Sequence, residues 1–165
     1  MPTFGNTAVG GDTFPTTNDR GLFGLFNLPD TADVTEIAVR FDATSSAGDN
    51  AKGLIYEGVA GGALQYATAG QAVPGGGGLL TWVVSGLTLP PGDYYLGSVV
   101  DAFNSVWQCD PATGQRVEAV TYASPAATLG TLNATGAIPD VYVTYDIGGN
   151  SVTVKVHQLR QQGIA

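Results

Sequence analysis

Apolar and polar positions alternate along this chain in short bursts. Over residues 34–42, Ile37, Val39 and Phe41 fall on one side, and Glu36, Ala38, Arg40 and Asp42 on the other. A period of two marks a half-buried strand, because successive side chains of extended backbone point to opposite faces. The same pattern returns where Leu80, Trp82 and Val84 interleave with Thr81, Val83 and Ser85. Further strands are predicted over residues 3–9 (weakly), 21–28, 51–57, 64–68, 94–101 and 116–123. Residues 51–57 are apolar on both faces, so the pattern does not orient them. Near the C-terminus Val141, Val143, Tyr145 and Ile147 alternate, Gly148, Gly149 and Asn150 turn the chain, and Val152, Val154 and Val156 alternate again. That is a β-hairpin signature.

The intervals between these bursts read as turns and loops. Residues 73–78, with four consecutive glycines, predict a surface loop. Pro90-Pro91-Gly92-Asp93 suits a type II turn, with Pro91 presetting φ and Gly92 taking positive φ. Residues 102–115, which hold Trp107 and Cys109, are aperiodic and read as a long loop, and residues 124–139 read as mostly loop. No stretch has helical periodicity, heptads or an internal repeat. Eight to ten antiparallel strands with one apolar face each must hide those faces against one another. The expected fold is therefore all-β: a single domain over residues 1–165, an antiparallel two-sheet β-sandwich of jelly-roll-like type with a C-terminal hairpin. Residues 1–11 are a candidate N-terminal arm and residues 158–165 a candidate C-terminal tail, both placed to reach neighbours.

Composition sharpens this picture. With 24 glycines and only 12% charged residues, the chain favours short strands and turns over helices. Its 44% hydrophobic content excludes a disordered chain. The net charge is −8, and the six bases (Arg20, Arg40, Lys52, Arg116, Lys155, Arg160) are dispersed. Without a basic stripe there is nothing to replace phosphate counterions, so neither nucleic acid nor an anionic membrane is an expected partner. The acidic balance suits a crowded, high-copy protein. No apolar run approaches the ~20 residues of a membrane span. The sequence opens Met1-Pro2-Thr3-Phe4-Gly5, with no basic or apolar leader pattern, which gives synthesis in the cytosol as the expectation.

Few residues offer chemistry. There is one Cys and one His. His157 falls in step with Thr153 and Lys155 on the polar side of its predicted strand, a solvated position, and Cys109 reads as an unreactive loop or semi-buried thiol. Zinc needs several soft ligands, so no zinc site is expected. Calcium has better candidates: Asp42, Asp49 and Asn50 flank one turn, and Asp101, Asn104 and Asp110 another, although no EF-hand spacing is present. The expected cofactor is none, with structural calcium the one exception the residue types allow. Carboxylates are numerous enough that a pair for glycosidase chemistry carries no signal. No catalytic residue is assigned. Trp82 reads as core from its alternation, whereas Trp107, in a predicted loop, is the candidate for an intermolecular contact.

One set of residues resembles a known family. Leu89, Gly92, Tyr94, Tyr95 and Leu96, with Trp82 upstream and the Ile55-Tyr56 strand before it, resemble a diffuse family of jelly-roll-like β-sandwich modules. These modules occur in tailed-phage virion proteins and bacterial secreted proteins. The resemblance spans roughly residues 20–147, implies the sandwich fold and carries no site residues. With the composition, it leads to the expectation of a non-enzymatic structural protein of a phage particle. Such a protein is a capsid decoration or cement protein, or a tail component, located in the virion after synthesis in the host cytoplasm. Its partners are other virion proteins such as a major capsid protein, and further copies of itself in a homo-oligomer. The alternative is an extracellular glycan-binding or adhesion β-sandwich module.

Overall fold

A computed structural model describes residues 1–117 and 120–147. The second strand of the expected hairpin, its turn at 148–150, His157 and the tail at 158–165 lie outside the described residues. The described strands are β1 (Thr3–Gly5), β2 (Asp12–Pro15), β3 (Gly21–Leu28), β4 (Ala32–Phe41), β5 (Asn50–Glu57), β6 (Leu64–Ala67), β7 (Gln71–Ala72), β8 (Gly78–Leu89), β9 (Gly92–Val100), β10 (Val106–Val117), β11 (Leu132–Pro139) and β12 (Val141–Ile147). No helix forms among the described residues.

Two antiparallel sheets pack face to face as a β-sandwich. One runs β1–β12–β4–β8, and the other β11–β10–β3–β9–β5–β6, with β7 beside the start of β5. The sheets join through β10. Its first half pairs with β2 and meets β4 at Trp107↔Phe41, and its second half runs between β11 and β3. An irregularity between Pro111 and Gly114 lets the strand change sheets.

Between the sheets lies the main core. Ile37, Val39, Phe41, Leu80, Trp82, Val84, Val141, Val143 and Tyr145 come from one side, and Leu22, Leu28, Ala51, Ile55, Leu96 and Val100 from the other. The alternations at β4, β8 and β12 thus point inward as the pattern predicts. Gly53 on β5 lies close against the facing sheet: a Cβ there meets Ile37 Cγ2 at 2.9 Å and Trp82 Cε3 at 3.4 Å.

The second sheet departs from the expectation of one apolar face per strand. Phe23, Leu54, Tyr56, Tyr95 and Val99 point away from the first sheet into a smaller core closed by Val120 and Leu129. Residues 120–129 lie over that face as a third layer. Tyr56 Oη donates to the Ala126 carbonyl at 3.0 Å, and Lys52 Nζ to the Tyr122 carbonyl at 2.8 Å with the ammonium 4.6 Å from the Tyr122 ring centre. The two-sided apolarity of residues 51–57 is explained: β5 is central and covered on both faces.

Three further expectations are corrected. Residues 106–115 are strand rather than loop, because β2, β4, β11 and β3 supply partners along their length. Residues 132–139 are likewise strand, paired with β10. Gly92 does not take positive φ; it lies extended, paired with Leu28. The corner from β8 to β9 is instead held by Tyr94, whose hydroxyl donates to the Pro90 carbonyl at 2.8 Å, and it carries the chain from one sheet to the other. Residues 1–11 lie against the body of the chain: β1 pairs with β12, Phe4 is buried in the main core, and the Gly10 N–H bonds Asp140.

Candidate functional site

Two of the loops proposed for calcium come together through the side chains of Asp49 and Asp101. Asp49, 1% exposed, accepts from the Asn104 amide N–H at 2.9 Å, Asn104 Nδ2 at 3.0 Å and Ser105 Oγ at 2.8 Å. Beside it, Asp101 accepts from the Asn50 N–H at 2.6 Å and from Asn50 Nδ2 at 2.8 Å. The two loops are clasped by carboxylates whose lone pairs face N–H and O–H donors. Asp42 stands apart; its Oδ1 takes the Thr44 hydroxyl and N–H, which hold its pKa below the usual Asp value. Asp110 is elsewhere again. Among the described residues no three His, Cys, Asp or Glu side chains converge as metal ligands.

Asp110 belongs to a second polar knot, at the junction of β11 and β12. Asn6 Nδ2 donates to Asp110 Oδ2 at 2.8 Å and to Asp140 Oδ1 at 3.2 Å, and Gly10 N–H donates to Asp140 Oδ2 at 2.9 Å. Asp140 is buried, and burial with the nearby Asp110 charge raises its pKa, against the opposing Gly10 hydrogen bond and Arg40 charge. This knot ties the N-terminal segment to the body. No local pattern announces it, because Asn6 and Gly10 lie more than 100 positions from the carboxylates they bond.

Cys109 and Trp107 lie on β10, not in a loop. Cys109 is fully buried, and burial, reinforced by Asp140, Asp12 and Asp110, pushes its thiol pKa up to about 12. Such a thiol has almost no thiolate at neutral pH. Trp107 is 1% exposed, and its Nε1 donates to the buried Ser98 Oγ at 2.7 Å. The residue singled out for intermolecular contact therefore turns its ring into the core; alternation along an unforeseen strand decides this.

Some of the exposed large apolar side chains are carried on strands. Val83 is 88% exposed and Leu79 38%, both on the outer face of β8, and Leu25 on β3 is 46% exposed. Phe103, in the loop before β10, is 73% exposed. The sign for Val83 is present in the pattern, where an apolar residue falls in step with Thr81 and Ser85. No pocket forms among the described residues. No protein-family model matches the chain, and no curated protein matches it.

Proposed function

We propose that the protein is a non-enzymatic structural subunit of a phage particle, a capsid decoration or cement protein or a tail component, which works through contacts between subunits. The observation that carries this reading is the exposed apolar side chains Val83, Leu79 and Leu25 on hydrogen-bonded strands. Apolar groups on a rigid sheet are preorganised for docking, since little conformational freedom remains to be lost on contact. At ~25 cal/mol per Å², modest apolar contacts repeated around a shell add up to firm attachment. The reactive group types support the same reading: Cys109, Asp49 and Asp140 are buried, and the two carboxylates accept hydrogen bonds from within the fold. The reading as a glycan-binding module is the weaker one, because Trp107, the aromatic candidate for an intermolecular contact, faces the core.

Purified particles from the source, imaged by cryo-electron microscopy, test the proposal. A sandwich of this shape repeated on the particle lattice is the expected result. Particles that lack the chain by mass spectrometry would refute it.

A further inference from the structure

We infer that β8 is a docking edge for a second copy of this chain, joined strand to strand by an antiparallel, two-fold pairing centred on Thr81. β8 is paired on one side only, with β4. Its other side is a row of backbone donors and acceptors with no strand beside it among the described residues. The strand is 12 residues long and carries no charge and no proline. Such an edge is a template for strand addition, and proteins that avoid pairing place charges, proline or an irregularity there. β8 has one irregularity, at residues 84–86, where Gly86 takes φ +72°. That bulge leaves residues 78–83, roughly 20 Å of regular edge, free to pair.

The side chains select both the partner and the register. On the outer face β4 sets Arg40 beside Leu79, Ala38 beside Thr81 and Glu36 beside Val83. Pairing β8 with its own copy about Thr81 places Leu79 opposite Val83 of the second copy, and Val83 opposite its Leu79. The two exposed apolar residues of the strand thus cover each other, and Thr81 meets Thr81, a favourable cross-strand pair. Each outer row then reads Arg40, Leu79, Val83, Glu36 across the junction, with the last two from the second copy. A base lies at one end of the row and an acid at the other, their long stems leaning over the apolar pair. Neither Arg40 nor Glu36 makes a salt bridge or side-chain hydrogen bond with another described residue; Arg40 feels Asp140 only through its charge. The inner face continues in the same register, with Leu80 opposite Trp82.

This junction is self-complementary and closes with two copies. It goes beyond the proposed virion role and is expected whether or not the chain belongs to a particle. Sedimentation of the full chain over the micromolar range is the test. The wild type is expected to run as a dimer, and Val83→Lys as a monomer with an unchanged circular dichroism spectrum, since the side chain is solvent-exposed. Adding Leu79→Glu to Val83→Lys sets the new carboxylate opposite the new ammonium across the junction and restores the dimer. Independently, Thr81→Cys in the wild-type background is expected to cross-link between copies on mild oxidation, whereas Ser85→Cys is not. A monomeric wild type that Thr81→Cys fails to cross-link, a Val83→Lys dimer, or a Val83→Lys monomer that Leu79→Glu fails to rescue would each overturn the inference.

Discussion

Trp107 shows how one hydrogen bond fixes a large side chain in an apolar interior. Its N–H meets Ser98 Oγ, and Ser98 on β9 is itself fully buried. Removing the hydroxyl leaves a buried donor without an acceptor, at a cost of about 1–3 kcal/mol. Ser98→Ala is therefore expected to lower the free energy of unfolding by that amount in urea titration, with a shifted tryptophan emission. A stability equal to wild type would mean that the indole finds another acceptor. Asp140 gives a second prediction, with a definite sign. Its folded pKa lies above the ordinary Asp value, so the folded state holds its proton more tightly than the unfolded chain does. Stability from this group is thus present at low pH and is lost as pH rises from the ordinary Asp range through the raised folded pKa. Asp140→Asn cannot ionise. The variant is expected to gain stability relative to wild type as pH climbs through that window, measured by urea titrations at successive pH values. A difference that stays constant with pH would remove ionisation as the cause.

At the level of the strand, two glycines separate close approach from backbone conformation. Gly53 has negative φ but no room, because Ile37 and Trp82 of the facing sheet stand against it. Gly86 has open space but a φ of +72° in the β8 bulge. Gly53→Val forces the sheets apart and is expected to destabilise by about 1–3 kcal/mol through overpacking. Gly86→Ala is expected to cost about 1–2 kcal/mol through left-handed backbone alone. Thermal melts of both variants check the pair; wild-type stability in both Gly53→Val and Gly86→Ala would show that neither constraint operates. The strands legible in the sequence are those with one wet face: β4, β8 and β12, where alternation follows directly from burial on one side. β5 and β9 are legible as strands but not in their orientation, since Leu54, Ile55, Tyr56, Leu96 and Val99 are covered on both faces. The first half of β10 is not legible at all. Trp107, Gln108, Cys109, Asp110 and Pro111 have no local preference that outweighs a loop, and the strand exists because β2, β4 and β11 offer it hydrogen bonds.

For the molecule entire, β10 is the seam on which both sheets depend, and Cys109 sits within it. Exposing its sulfur requires the main core around it to open. Reaction with a disulfide reagent in native buffer is therefore expected to be slow and to track the global unfolding constant across a denaturant series. Rapid labelling without denaturant would show that the seam opens locally. At the same scale, the third layer over the second sheet and the open edge of β8 divide the surface: one apolar face is closed by the chain itself, and the other strip is left for a neighbour.

The order of residues is enough to set the class of fold, because alternating side chains, scarce charge and abundant glycine leave no stable arrangement except paired β layers. It is enough, too, to place Trp82 in the core and a corner at Pro90 and Pro91. Folding in three dimensions was needed to bury Trp107, to clasp Asn104 with Asp49, to bring Asp140 back to Gly10, and to end a sheet at β8 with one side open. The reason is physical. A side chain's periodicity is set by its own neighbours in the chain, whereas its hydrogen-bond partners and the strand beside it come from residues far away, which a local pattern does not encode.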